Sequence, residues 1–206
     1  MRKSRRKRRS VGTRTPLPRI LIVTEGKQTE PTYFLDLCAD YNLGSVDVDG
    51  TSDSNPLSVV EHGLQQFERE DYDRLYCVFD RDSHDGFADA TDWLREMRND
   101  EGWNVYWTYS IPCFEYWVLL HYTLTGRRFD HPDSPCGQVE REVNQYISGY
   151  SKGMTGLYDE TKEHLDTAMR HAKQRWSQAK GRKFDDPSPR TKVHKLVNEL
   201  RNLRSS

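Results

Sequence analysis

Arg19-Ile20-Leu21-Ile22-Val23-Thr24 runs directly into Glu25-Gly26-Lys27, with Pro18 in front and Gly26 behind as its boundaries. A β-branched run that is apolar at successive positions suits a strand buried on both faces, as in a parallel sheet covered by helices on each side. Working outward, the signals alternate. Thr29 can cap a helix starting at Glu30-Pro31, where Tyr33, Phe34, Leu37, Cys38 and Tyr41 recur at helical spacing. Val46 to Val48 reads as a weak second strand. Asn55-Pro56 starts a helix with the stripe Leu57, Val60, Leu64 and Phe67. Leu75-Tyr76-Cys77-Val78-Phe79 is a third strand closing on Asp80. Phe87, Ala90, Leu94 and Met97 mark the helix after it, and Trp103 to Tyr109 a fourth strand. Phe114 to Tyr122 reads as a buried helix. This β-α repeat predicts an α/β fold, a parallel sheet flanked by helices.

Beyond Gly126 the pattern turns polar and helical, over roughly 137–148, 157–179 and 189–203, with Val193, Leu196, Val197, Leu200 and Leu203 on one face of the last helix. The expected organisation is therefore a basic arm over 1–14, an α/β core over 15–125 and a helical cap over 126–206 packed on the core. The arm holds eight Lys and Arg and no acid, which leaves the rest of the chain at a formal charge of -9 although the total is only -1. Such an arm either meets polyanions or simply solubilises the chain.

Of the 206 residues, 31% are charged and 34% hydrophobic. No apolar run approaches the ~20 residues of a bilayer span, so a membrane protein is not expected, nor is a secretory leader. Five Trp, eleven Tyr and seven Phe argue for a packed core. The cysteines at 38, 77, 113 and 136 lack the spacing of a zinc knuckle and fit a reducing, cytoplasmic setting, three of them as small core residues. The seven histidines have no H-x-x-x-H spacing, His121 reads as a packed core histidine, and no G-x-S-x-G elbow or Walker A pattern occurs.

The chemistry-bearing residues fall at strand ends, where open parallel sheets build their sites. Glu25 ends the first strand, Asp80 and Asp82 the third, and Glu115 follows the fourth. Residues two apart on an extended chain share a face, so Asp80 and Asp82 can point to one spot, joined by Glu25 if strands one and three are neighbours. Clustered carboxylates repel unless some are protonated or a hard cation such as Mg²⁺ binds. Gly26 would admit a phosphate to the backbone, and Lys27 would neutralise it. Read singly, each acid is better explained as a helix cap or an ordinary loop acid; the acid after strand one combined with D-x-D after strand three favours a site.

Three stretches together resemble the RloB-like family, bacterial proteins with a TOPRIM-type domain in restriction and abortive phage-resistance loci. They are Ile20 to Phe34, containing Glu25-Gly-Lys-Gln-Thr29-Glu30-Pro31, then Cys77-Val-Phe-Asp80-Arg-Asp82, then Ile111-Pro112-Cys113-Phe114-Glu115-Tyr116-Trp117 onward to Tyr122. Lys152 and Pro189 to Val197 match weaker, later positions, and Ile111 departs from the Asn often found there. The resemblance implies a TOPRIM-like, Rossmann-like fold and a nuclease in anti-phage defence. In it, Glu25, Asp80 and Asp82 would hold Mg²⁺, with Mn²⁺ as a substitute. Glu25, Asp80, Asp82 and Glu115 would be catalytic, and Gly26, Lys27, Arg81 and Lys152 would contact phosphate or nucleic acid. RNA, including tRNA, or DNA is the implied substrate, with an AAA-type ATPase subunit and a homo-oligomer as implied partners. Two rivals stand beside it. One is a non-catalytic adaptor binding nucleic acid or an ATPase. The other is an aspartyl phosphatase using the D-x-D, although that motif normally follows a first strand.

Overall fold

The computed structural model describes residues 16–51, 55–81, 86–129, 134–182 and 186–204. The basic arm, Asp82, His84 and Lys183 lie outside the described residues. The strands are β1 (Ile20–Thr24), β2 (Val46–Gly50), β3 (Arg74–Asp80), β4 (Val105–Ile111) and β5 (Arg190–Thr191). They form one sheet in the order β2-β1-β3-β4-β5. The first four run parallel, as the alternation predicts, and β5 is antiparallel to β4.

Register explains the double-sided apolar runs. Leu21 lies beside Leu75, which lies beside Val105, and Val23 lies beside Cys77. These residues bury one sheet face together with α2 (Pro56–Arg69) and α3 (Phe87–Asn99). Ile20, Ile22, Tyr76 and Val78 bury the opposite face with α1 (Thr29–Asp40) and the later helices. A Rossmann-like layering results, with helices on both sides of a mostly parallel sheet.

The opposite layer continues through α4 (Glu115–Leu119), α5 (Pro135–Val143), α6 (Leu157–Thr161), a 3₁₀ turn (Lys162–His164), α7 (Leu165–Gln178) and α8 (Val193–Asn202). Residues Tyr116 to Leu120 of the buried helix segment are fully enclosed. Truncating Trp117 to Ala there would cost about 3–5 kcal/mol. His121 is buried, with Nδ1 against the carbonyls of Trp117 and Val118, the packed role its apolar setting predicts. Two details depart from the expected elements. The continuous helix expected over 157–179 is broken at the 3₁₀ turn. The chain just before the last helix is not helical either: Arg190–Thr191 pairs with Ser110 and Ile111, satisfying the β4 edge at that point. No described helix is long and apolar enough to cross a membrane.

Candidate metal centre

The order β2-β1-β3 reverses direction at β1: the chain moves to one side for β2 and returns to the other for β3. Such a switch point leaves a crevice beyond the carboxyl ends of the two diverging strands. Glu25 and Asp80 stand at those two ends. The Glu25 carboxylate accepts the backbone N–H of Asp80 at 2.9 Å, and the Glu25 N–H donates to the Val78 carbonyl at 2.9 Å. Strand neighbourhood thus joins these two acids as the sequence requires.

Glu115 reaches the same crevice from α4. It is only 2% exposed although it opens a helix of aromatic and aliphatic residues. A buried carboxylate needs partners. The Tyr150 hydroxyl donates to Oε1 at 3.2 Å, and the Lys152 ammonium lies 3.9 Å from Oε2. That separation is an ion pair without a hydrogen bond, and Oε2 itself is buried with no hydrogen-bond partner. Lys152 also pairs with Glu140 at 3.6 Å. Burial works against the charge on Lys152, but the facing Glu115 and its neighbours together outweigh it and raise the ammonium above its usual range.

The loop carrying Tyr150 and Lys152 is pinned to α1. Thr29 does not cap its helix: the helix begins at Thr29 itself, with Gln28 as an uncapped N-terminus. The Thr29 hydroxyl instead accepts the N–H of Gly153 at 2.9 Å. Gly153 has φ +79°, and a Cβ there would lie 2.3 Å from Gln28 Oε1, so glycine serves both the backbone conformation and the close approach. Asn144 Nδ2 donates to the Tyr150 carbonyl and fixes the loop's other end.

One ligand atom each from Asp80, Cys113 and Glu115 lies within 4.8 Å of the other two. Glu25 is not in this group; it holds the Asp80 backbone. Asp82 lies outside the described residues. Glu30, one residue into α1, joins the cluster electrostatically. Burial, then the nearby Glu115, pushes its carboxyl up to about 8. Burial and the charges of Glu30, Glu115 and Glu25 raise Asp80 well above the ordinary carboxylate range. Four carboxyl groups therefore share one crevice without enough positive charge to ionise together.

The donor set fits a hard cation. Asp80 and Glu115 offer carboxylate oxygens, one of them buried and unpartnered. Burial, then the hydrogen bond with Cys136, pushes the Cys113 thiol well up, so it remains protonated. A thiol suits softer metals. Cys113 is therefore better placed to line the crevice than to bind Mg²⁺.

The other phosphate candidates stand around this centre. Gly26 has φ +81° and its carbonyl lies against Gly50, where a Cβ would sit 2.3 Å from it. Lys27 is exposed and lines an open groove of about 760 Å³ with Asp49, Ser58 and His62, apart from the four carboxyls. Arg81 donates its N–H to the Ser110 carbonyl, and its charge is felt at Tyr109. Sequence reading missed Glu30, Cys113 and Tyr150. Glu30 lay within a quoted motif, but a first-turn acid reads as an ordinary helix residue.

A family model described as RloB-like protein matches residues 20–200. No curated protein matches the chain.

Proposed function

The chain belongs to the RloB-like family, and from that membership and its converging carboxyls we propose a Mg²⁺-dependent phosphodiester hydrolase acting on nucleic acid. The observation that carries the reading is the buried, unpartnered Glu115 Oε2 beside Asp80 in a crevice of mutually repelling acids. Oε2 faces the Lys152 ammonium only at 3.9 Å, beyond hydrogen-bond reach, and so keeps a lone pair for a ligand cation.

In this reading Asp80 and Glu115 hold the ion, Asp82 is a third ligand and Glu25 fixes the Asp80 backbone. Mg²⁺, when bound, would neutralise the carboxylates, polarise a phosphoryl oxygen and lower the pKa of an attacking water. The chain's own groups do the rest. Lys152, kept charged by Glu115, sits where it can meet a phosphate oxygen. Glu30, whose carboxyl burial and then Glu115 push up to about 8, stands beside the proposed ligands as a further acid of the crevice. Tyr150 orients Glu115, and Thr29 holds the loop that brings both Tyr150 and Lys152. Gly26 and Arg81 are further phosphate contacts on the rim, and Lys27 is one from the separate groove it lines.

By resemblance to the family, the setting is bacterial, cytoplasmic anti-phage defence with an AAA-type ATPase subunit or further copies of the chain as partners. The phosphatase reading has no matching geometry: its nucleophilic Asp would end a first strand, and here β1 ends in Thr24 followed by Glu25. The test is cleavage of tRNA, single-stranded and duplex substrates with Mg²⁺, Mn²⁺ or EDTA. Metal-dependent cleavage lost in Asp80→Asn and Glu115→Gln is expected. Cleavage that persists in both variants would overturn the assignment, and nucleic-acid binding without turnover would favour the adaptor.

A further inference from the structure

Away from the carboxyl crevice, β5 covers only Ser110 and Ile111 of β4. The preceding part of β4 faces α8 across a pocket of about 300 Å³ that shares no residue with the crevice. Three cations line it: Arg98 from α3, Lys192 just before α8 and Lys195 within α8. Its one acid, Glu199, is already engaged by Arg74. Lys192 has no acidic partner among the described residues. Its ammonium lies over three rings, 4.8 Å from the Tyr109 centroid, 5.1 Å from Trp176 and 5.7 Å from Trp107.

The second observation comes from the pocket floor. Thr108 lines the pocket and is 2% exposed, and its hydroxyl has no hydrogen-bond partner. The indole N–H of Trp107, also in the lining, is buried and unpartnered. A buried hydroxyl without a partner carries an uncompensated desolvation cost, and a ligand acceptor removes it.

We propose that this pocket is a phosphate-binding site, in which Lys192, Lys195 and Arg98 neutralise the anion while the Thr108 hydroxyl donates a hydrogen bond to one of its oxygens. The arrangement fits a multiply charged tetrahedral oxyanion better than a lone carboxylate, because three cations line the pocket with a neutral donor and without a free acid among them. Burial, then the like charges of Lys195, Arg95 and Arg190, pulls Lys192 down to about 8, and a bound anion relieves that repulsion. The phosphate could belong to a free phosphorylated small molecule or to a nucleic-acid strand, and the experiment separates the two.

The full chain is titrated in EDTA with inorganic phosphate, with AMP and with a single-stranded oligonucleotide, following fluorescence from Trp107 and Trp176 beside the pocket. Saturable binding is expected, weakened about tenfold or more by Lys192→Gln with Lys195→Gln. A several-fold loss is expected in Thr108→Val. Arg98→Gln, at an exposed position, supplies a third variant should the lysine pair disturb folding. Phosphate and AMP binding as well as the oligonucleotide would assign a small phosphorylated ligand, and saturation by the oligonucleotide alone would assign a strand. Working without metal keeps the outcome separate from hydrolysis at the crevice. No saturable binding by any probe, or affinities unchanged in the Lys192 and Arg98 variants, would overturn the proposal.

Discussion

Replacing Glu115 with Gln should stabilise the cation-free protein while abolishing its response to Mg²⁺. Ligand atoms of Glu115 and Asp80 lie within 4.8 Å. Two full charges at that distance repel by about 3.5 kcal/mol at an effective dielectric near 20. Against this stands the Lys152 ion pair, 3.9 Å long with Lys152 half exposed, whose loss costs about 1 kcal/mol after solvent screening. Asp80 and Glu30 also escape part of the repulsion by holding protons. The net gain expected for Glu115→Gln at pH 9 is about 1–2 kcal/mol, or about 2–8 °C in Tm for a chain of this size. Gln keeps an oxygen for the Tyr150 hydroxyl, so packing changes little.

The pH dependence fixes the sign. Glu30 titrates near 8 in the folded chain against an ordinary 4.5, and Asp80 is raised in the same direction. The folded state therefore binds more protons than the unfolded state across that window. Stability conferred by these groups is present at low pH and is lost as pH rises through the folded pKa. For Glu30 alone the full loss is on the order of 5 kcal/mol. Glu115→Gln should flatten this decline. The assay is thermal and urea unfolding from pH 5 to 9, with EDTA or Mg²⁺. Mg²⁺ should raise the wild-type Tm most at high pH and leave the variant unmoved. A variant less stable than wild type at pH 9, or one still stabilised by Mg²⁺, would refute the reasoning.

Other perturbations probe the supports of the site. Glu25→Ala leaves the half-buried Asp80 N–H without its acceptor and should cost about 1 kcal/mol, measured by urea unfolding. Gly153→Ala forces a Cβ onto a left-handed backbone and should cost about 1–2 kcal/mol while lowering hydrolysis through displacement of Lys152 and Tyr150; unfolding and cleavage assays read the two effects. Burial lowers both His121 and His194 to about 4, so each contributes stability above its unfolded pKa that is lost as pH falls from about 6.5 towards 4. The stability gap between wild type and His121→Asn should accordingly narrow by up to about 3 kcal/mol over that range. An unchanged gap would contradict a buried, neutral His121.

The β1 and β3 runs were legible because a strand buried on both faces leaves no polar alternation, and Glu25 and Asp80 because strand ends in a parallel sheet build sites. β5 was not legible: two residues, Arg190 and Thr191, carry no period and are recruited by the edge of β4. The break after Thr161 has no Pro or Gly to announce it. Thr29 looked like a helix cap because capping is local, whereas its actual partner, Gly153, lies 124 residues away and is brought there by tertiary packing. Cys113 read as a small core residue, and it is buried, but its Sγ faces Asp80 and Glu115 across a loop turn. Glu115 stood out as the acid after the fourth strand, but nothing local announces that an acid opening an apolar helix will meet Tyr150 and Lys152.

Anomalous diffraction from crystals of the full chain soaked in Mn²⁺ addresses the cation directly. The account predicts a peak at the β1–β3 switch point with oxygens of Asp80 and Glu115 at about 2.1–2.2 Å, near the distance of a hard divalent ion. A crevice without a peak, with Glu115 Oε2 instead hydrogen-bonded within the protein, would contradict it.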